Sequence, residues 1–366
     1  MKYVWLLLTT LVFVVCLSAV GGSEAMPAAF KFQKLVKAVN LTQTNCQRTG
    51  WFYINESLLL CDPNGEKFVP VGTNIMPHYA GEAMLTDEPG PVMSAATLSK
   101  LKVWKFNTVR LNLFIKGLGI NPPIAKIKHY IQNLRALGLV VIIEPHDYTG
   151  KIPSDRQIEK IINWHLQILA VVKDDPYIWL NLMNEPGSDN TDTTARQWRD
   201  THIRIIETLR KTDPHRMLLV DAPNFGLDDP DTPGFTQSAI LKYGKAILKN
   251  DQHLLFSLHT WWGWNYQAEA KIRAYVSQLK AAHLPLIFGE FGNKVNDQVP
   301  GMYAARATVK IAREKGIGSI VWEWFGDATN YLVKMPQKRG YLINSRTKPT
   351  NLTELGQLVW AHTHST

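Results

Sequence analysis

One pattern repeats along most of the chain: a short apolar, β-branched run is followed by a longer stretch with helical periodicity. Near-continuous apolar runs that alternate with helices are typical of a parallel sheet covered on both faces. The predicted strands are residues 69–74, 108–113, 140–144, 178–183, 217–221, 255–259, 286–290 and 319–324. Predicted helices between them include residues 124–137, 158–173, 196–211, 268–282 and 303–315.

Eight strand–helix units in about 300 residues predict an α/β fold, the closed (β/α)₈ TIM barrel. A doubly wound open sheet is the alternative, but no glycine-rich nucleotide-binding turn follows the first strand. The apolar share of 45% is enough for one large core. We therefore predict a single catalytic domain over residues 51–366.

Two segments precede the predicted barrel. Residues 1–25 have Lys2 near the start, then an apolar stretch and a small-residue cleavage motif, as in a secretory signal peptide. The apolar stretch is short for a membrane span, so we expect its removal, a secreted chain and no membrane partner. Residues 26–50 form an extension. Beyond it, the turn motif at 62–65 predicts a β-hairpin between 51–60 and 67–71 that plugs the barrel base.

After removal of the signal peptide, Cys46 and Cys61 are the remaining cysteines. An even pair in a secreted chain predicts a disulfide, here bracing the hairpin. The net charge of +9 is spread along amphipathic stretches without a basic run or a nucleic-acid motif. We therefore expect no nucleic-acid partner.

Two predicted strands end in a glutamate, and catalytic groups in this fold gather at strand ends. Glu185 lies in Asn184-Glu185-Pro186 after strand four, and Glu290 ends strand seven. Three strand–helix units separate them, so they should face each other across the barrel mouth. Glycoside hydrolysis needs such a pair, one carboxyl to protonate the leaving oxygen and one to attack or activate water. Other acidic candidates are Glu144, Asp147, Asp221 and Glu323, of which Glu144 and Asp221 suit supporting contacts.

The motifs around these glutamates resemble the signatures of glycoside hydrolase family 5, retaining barrel cellulases and mannanases. The resemblance runs from strand two to strand eight. Segments 144–150 (EPHDYTG), 219–222 (LVDA), 256–259 (FSLH) and 287–292 (IFGEFG) are more similar to bacterial-type endo-β-1,4-mannanases than to cellulases. The resemblance implies that Glu185 is the acid/base and Glu290 the nucleophile.

The same resemblance implies a supporting set of side chains. Arg110 would lie beside the nucleophile and lower its pKa. His146 and His259 would position the sugar and the glutamates, although a core role for either histidine remains open. Asn184 suits a donor to the sugar 2-hydroxyl. No third ligand accompanies the histidines, so we expect no metal and no cofactor.

Tryptophans supply the candidate sugar platforms. Trp322 and Trp324 are two residues apart on strand eight, so both could line the site floor, or one could be core. The loop after strand six contains Trp261, Trp262 and Trp264, which we interpret as sugar platforms or a lid rather than as core residues. Trp261 departs from the family, which usually has a tyrosine that hydrogen-bonds the nucleophile. Either the indole replaces that donor, or Tyr266 or Tyr148 supplies it, or the nucleophile is tuned in a different way.

The leading hypothesis is a monomeric, retaining endo-β-1,4-mannanase acting on a β-linked polysaccharide such as mannan or glucomannan. An endo-β-1,4-glucanase with the same two glutamates is the first alternative. A non-catalytic polysaccharide-binding barrel is the alternative from a different class, although Glu185, Glu290 and Arg110 are all present.

Overall fold

The computed structural model describes residues 46–77, 93, 95–114, 123–295, 299–324, 330, 332–334 and 349–365. The predicted signal peptide and residues 26–45 of the predicted extension lie outside these ranges. Within them, none of the helices has the length and apolar character needed to cross a bilayer.

Eight parallel strands close into a barrel in chain order, with the last strand paired to the first. They are β3 (Val71–Ile75), β4 (Thr108–Leu113), β5 (Val140–Pro145), β6 (Ile178–Asn181), β7 (Leu218–Asp221), β8 (Leu254–His259), β9 (Leu286–Phe291) and β12 (Gly318–Val321). Each corresponds to one of the apolar runs of the sequence, so the predicted (β/α)₈ barrel is confirmed. The described residues also include two short antiparallel pairs: β1 (Tyr53–Ile54) with β2 (Leu60–Cys61), and β10 (Lys294–Val295) with β11 (Val299–Pro300).

Helices cover the outside of the barrel. Those of the described residues are α1 (Ala95–Leu98), α2 (Lys100–Val103), α3 (Ile124–Arg135), α4 (Asp155–Val172), α5 (Asp192–Arg210), α6 (Ala239–Leu248), α7 (Ala268–Ala281), α8 (Met302–Lys315) and α9 (Glu354–His364). α4 shows why such segments fold: Ser154 and Gln157 form a capping box at its start, and an isoleucine-rich face that includes Ile161 and Ile168 is buried. The sequence patterns did not single out α6 or α9.

The hairpin β1–β2 closes the amino-terminal end of the barrel. Phe52, Ile54 and Leu60 join a buried cluster with side chains from the strands, among them Trp179. The predicted plug is therefore present. The predicted turn at 62–65 also forms, because the Gly65 backbone N–H donates to the Asp62 carbonyl at 3.0 Å and Cys61 pairs antiparallel with Lys67. The sequence did not predict the additional reversal between β1 and β2. The side-chain oxygen of Asn55 accepts hydrogen bonds from the backbone of Ser57 and Leu59, which folds residues 55–59 into the connecting turn.

The predicted disulfide is confirmed. Cys46 and Cys61 are bonded, with their Cα atoms 5.4 Å apart. Cys61 is part of β2, so the bond ties the preceding chain to the hairpin that plugs the barrel.

Candidate active site

Glu185 and Glu290 come together at the carboxyl ends of the strands. Glu290 lies in β9, and Glu185 follows β6 in a left-handed backbone conformation with φ of 42°. Both side chains are largely buried. One oxygen of each carboxyl lies within 4.8 Å of the other and of a ring nitrogen of His259. The two strand-end glutamates of the sequence therefore form one site.

Arg110 organises the base of this site from β4. Its guanidinium is fully buried and donates to Glu290 Oε1 at 2.7 Å and to Asp221 Oδ2 at 3.0 Å. It also donates to the side-chain oxygens of Asn181 and Asn184, each at 2.8 Å. Burial lowers the pKa of Arg110, but the surrounding carboxylates raise it more, so the net shift is upward. Arg110 is therefore a permanent cation beneath Glu290.

His259 contacts both glutamates. Its Nδ1 lies 2.6 Å from Glu185 Oε1 and 3.4 Å from Glu290 Oε2, and its Nε2 lies 3.5 Å from Asp221 Oδ2. Burial lowers the pKa of His259, but Glu290, Asp221 and Glu185 raise it to about 10. The ring is therefore an imidazolium at neutral pH, a second cation in the site.

A glycine holds this ring in place. Gly226, with φ of 74°, lies so close that a Cβ there would come within 2.6 Å of the ring of His259. The Gly226 carbonyl also accepts a hydrogen bond from the His259 backbone at 2.9 Å. The loop after β7 therefore packs directly on the imidazolium, as a residue without a side chain permits.

The atoms of Glu185, His259 and Glu290 are also close enough to hold a metal ion. Metal ligation requires a neutral imidazole, however, whereas the neighbouring carboxylates keep His259 protonated. Arg110 occupies the other oxygen of Glu290. The donor chemistry therefore favours a hydrogen-bonded carboxylate pair over a metal centre.

Trp261 supplies the donor that the family usually takes from a tyrosine. Its indole Nε1 donates to Glu290 Oε2 at 3.2 Å. Tyr266, which sequence reasoning offered as a substitute, lies exposed at the surface. The described hydrogen bonds of Glu290 thus include one donor on each oxygen, Arg110 on Oε1 and Trp261 on Oε2.

The charges around Glu290 act in opposite directions. Burial raises its pKa, as does the nearby Glu185, whereas His259 and Arg110 lower it, and the net value is about 7. Arg110 therefore acts in the expected direction, but burial outweighs it. Two carboxyls this close titrate as a pair, so we assign the raised value to the loss of the second proton from the pair.

A second cluster lines the mouth beside the pair. Glu144 Oε2 accepts from the amide of Asn112 at 2.6 Å and lies 3.1 Å from His146 Nδ1. The His146 ring stacks on Trp322, with centroids 5.5 Å apart and planes inclined by 21°. Burial lowers the pKa of His146, but Glu144 raises it above the ordinary value. His146 thus contacts both the Glu144 carboxylate and the Trp322 ring.

Two of the five predicted platforms, Trp324 and Trp264, lie in the core. Trp324 packs edge-on against Trp104 and Phe106, away from the site, because β12 ends at Val321 and strand alternation no longer applies beyond it. Trp264 is fully buried, and its Nε1 donates to the Leu227 carbonyl. The alternative that one of Trp322 and Trp324 is a core residue therefore fits Trp324, whereas the prediction of a sugar-binding role for all three loop tryptophans does not fit Trp264.

Sequence reasoning missed the asparagines that support the arginine. Asn74 and Asn181 accept from Arg110, and Asn112 accompanies Glu144. Asn184, expected to donate to sugar, accepts from Arg110 and donates to Thr149 Oγ1. A polar residue inside an otherwise apolar strand run was the available signal, because such a side chain needs a buried partner.

The closed barrel and the paired buried glutamates at its mouth define the class: an α/β-barrel protein with a two-carboxylate site. The cellulase model of glycosyl hydrolase family 5 matches residues 61–328. The chain therefore belongs to glycosyl hydrolase family 5.

Relatives of known name fit this placement. The chain is 27% identical over 273 residues to the β-mannanase/endoglucanase A of Caldicellulosiruptor saccharolyticus, a match that covers 73% of this chain and 19% of that protein. It is 25% identical over 299 residues to a mannan endo-1,4-β-mannosidase of Cellvibrio japonicus, covering 80% of this chain and 63% of that protein. The chain thus spans less than two thirds of the length of either relative.

A solved structure supports the fold. The β-mannanase of Streptomyces thermolilacinus with mannohexaose superposes with a TM-score of 0.69 at 23% identity, covering 86% of this chain and 94% of the other. At this identity the likeness shows the shared fold.

Proposed function

We propose that this chain is a retaining endo-β-1,4-mannanase. The observation that carries the proposal is the separation of Glu185 and Glu290, whose nearest carboxyl oxygens lie within 4.8 Å. Retaining glycosidases hold their carboxyl groups about 5–5.5 Å apart, and inverting ones about 6.5–9.5 Å apart to admit a water molecule. The close pair leaves room for direct attack by one carboxylate.

In the first step, Glu290 attacks the anomeric carbon while Glu185 protonates the departing glycosidic oxygen. The bond between the anomeric carbon and that oxygen breaks as the ester to Glu290 forms. Arg110 and Trp261 each donate to Glu290, and hydrogen bonds to a carboxylate favour its ionised form, which is the form that attacks. The asymmetry of the donors thus supports the assignment of roles.

In the second step, Glu185 accepts a proton from water, which attacks the anomeric carbon and releases Glu290. Two inversions give net retention. His259, protonated and in contact with both carboxyls, balances the charge as it moves between them.

The choice of mannan rests on the relatives. Their names include mannan endo-1,4-β-mannosidase and β-mannanase/endoglucanase A, and one similar structure holds mannohexaose. The dual name of the Caldicellulosiruptor relative favours endo-β-1,4-glucanase as the second candidate. The two activities would use the same glutamates and differ in whether the site accepts an axial or an equatorial 2-hydroxyl.

Reducing-sugar release from mannan, glucomannan and carboxymethyl-cellulose, measured in parallel, tests this proposal. We expect the fastest release from mannan or glucomannan, and proton NMR should show the β-anomer of the product first. Faster release from carboxymethyl-cellulose would favour the glucanase. Binding without release from any of them would favour a non-catalytic barrel, and an α-anomer formed first would exclude retention.

We also propose that the protein is secreted and monomeric. The signal-like residues 1–25 and the disulfide support secretion. Sequencing the amino terminus of protein recovered from the medium, and sedimentation of that protein, test both points. Retention in the cells or a start at Met1 would contradict secretion.

A further inference from the structure

Exposed aromatic side chains are concentrated in one part of the described surface. Across the described ranges, the exposed large hydrophobic residues are Trp262, Tyr266 and Tyr303, with 39%, 73% and 71% of their surfaces accessible. Two are in the loop after β8, and the third is in the first turn of α8. Stacking on rings is how proteins bind the flat faces of sugars and other planar groups.

Hydrogen bonds bring these three residues to one junction. The backbone N–H of Asn265 donates to the Trp262 carbonyl at 3.0 Å, and the side-chain oxygen of Asn265 accepts from Ala304 N at 3.1 Å. Tyr266 follows Asn265, and Tyr303 precedes Ala304. The loop and the start of α8 are therefore held side by side.

A groove opens at this junction, between α7 and α8. It is lined by the amides Asn265 and Gln267, by Tyr303, and by the alanine-containing surfaces of both helices. The charged side chains in its lining are already paired: Glu269 with Lys310 at 2.7 Å, and Arg306 with Glu354. Aromatic rings, amides and compensated charges suit a neutral, hydroxyl-rich ligand better than an anion.

The loop that carries two of the exposed aromatic residues also reaches the active site. Trp261, the residue before exposed Trp262, donates to Glu290. The loop after β8 thus contacts Glu290 through Trp261 and exposes Trp262 and Tyr266 at the surface.

We propose that Trp262, Tyr266, Tyr303 and the adjoining groove form a second polysaccharide-binding surface that holds the same β-linked polymer outside the cleft. This inference rests on the proposed function. Such a surface would raise the local concentration of polymer at the mouth without touching the scissile bond. It would therefore act on long chains and leave short oligosaccharides unaffected.

Affinity electrophoresis of the full mature protein tests the proposal. In a Glu290→Gln background, which prevents digestion, migration is measured through gels with soluble galactomannan, glucomannan, β-glucan or α-linked dextran. Saturating mannohexaose fills the cleft so that the remaining retardation reports the outer surface. Tyr266→Ala with Tyr303→Ala should weaken the remaining polymer binding roughly tenfold. Tyr266→Phe with Tyr303→Phe is the matched control and should bind as the parent does.

The same tyrosine substitutions in the active protein separate this inference from the proposed function. Hydrolysis of short oligosaccharides should be unchanged, while hydrolysis of dilute polymer slows. Unchanged polymer retardation in the double alanine variant overturns the surface but leaves the hydrolase intact. A parent that sediments as a dimer, with a monomeric alanine variant, overturns it in favour of self-association. A parent that cleaves no oligosaccharide contradicts the proposed function itself.

Discussion

The indole N–H of Trp261 donates to Glu290 Oε2 at 3.2 Å, opposite the oxygen that accepts from Arg110. A tyrosine in this place could lose its proton in alkaline solution, whereas an indole donates at any ordinary pH. The Glu290 carboxylate is therefore held between two donors that do not titrate.

Replacing Trp261 with phenylalanine removes one of these donors. A hydrogen bond to a charged group contributes about 1.5–3 kcal/mol, so we expect kcat to fall roughly 10- to 100-fold with little change in KM. Trp261→Tyr restores a donor and should recover most of the rate. Steady-state kinetics of both variants decide this, and an unchanged kcat for Trp261→Phe would reduce the contact to packing.

Glu185 and Glu290 should respond differently to truncation. Glu290→Ala removes the proposed nucleophile and should abolish turnover of every substrate. Glu185→Ala should still cleave aryl glycosides with good leaving groups, because those need no proton. Azide should restore its second step and give a β-glycosyl azide. Rescue of the Glu290 variant to a β-product instead would reverse the assignment.

The pH dependence of kcat/KM should depend on the ionisation of the two active-site carboxyls together. The active form carries one proton on the two carboxyls, and burial together with Glu185 raises the pKa of Glu290 to about 7. We therefore expect kcat/KM to decline above about pH 7. Glu185→Gln removes both the like charge and the acid. On an aryl glycoside, its kcat/KM should rise with pH through a lower pKa of Glu290 and then stay constant at alkaline pH. An alkaline decline that persists in this variant would point to another group.

Stability should depend on pH through a buried histidine. Burial lowers the pKa of His165 to about 4, against about 6.5 in the unfolded chain. As the pH falls between these values the unfolded state takes the proton first, so the free energy of unfolding decreases. Between pH 7 and 4.5 the loss should be about 2 kcal/mol. Urea unfolding at both pH values measures it.

Glutamine is the informative replacement at this position. His165 lies close to the Leu182 carbonyl, 2.9 Å from its Nε2, and a glutamine amide can donate there without titrating. His165→Gln should therefore show a smaller loss of stability on acidification. Exposed His129→Gln is the matched control and should behave as the parent; equal losses in all three proteins would remove His165 as the cause.

Removal of the disulfide should affect stability and spare catalysis. The sequence separation of Cys46 and Cys61 is 15 residues, and closing a loop of that length stabilises by roughly 3 kcal/mol. The double serine variant should lose about that much in denaturant unfolding. Its activity at 25 °C should persist, because the hairpin and the glutamates lie at opposite ends of the strands. Thiol labelling of the unfolded, non-reduced parent should find no free thiol. Labelling of the parent at both cysteines would mean that the bond does not form.

The sequence patterns predicted the barrel because its strands are buried on both faces. Residues 108–113 were assigned with the bounds that the structure has for β4. α6 was not predicted because it has only ten residues and because Gly244, a poor helix former, lies in its middle. Packing explains that glycine: a Cβ there would lie 3.0 Å from Leu284. Tertiary contact overrode local propensity.

Residues of the site were predictable where a strand fixes their position: Arg110 lies within β4, Glu290 lies in β9 and Glu185 follows β6. The loop tryptophans were not, because no periodicity states which way a loop side chain points. Trp261 turns inward to Glu290, and Trp264 packs against Phe235 and Tyr275. The net pKa of Glu290 was also not predictable from the sequence. It depends on whether the increase caused by burial exceeds the decrease caused by Arg110 and His259.

The contact between Gly226 and His259 sets a boundary for laboratory evolution. Any side chain at position 226 would displace the imidazolium that both carboxyls share. A library that diversifies the loop after β7 to alter substrate preference would therefore keep this codon fixed. The exposed face of the loop after β8, by contrast, offers positions where variation leaves the reacting groups in register.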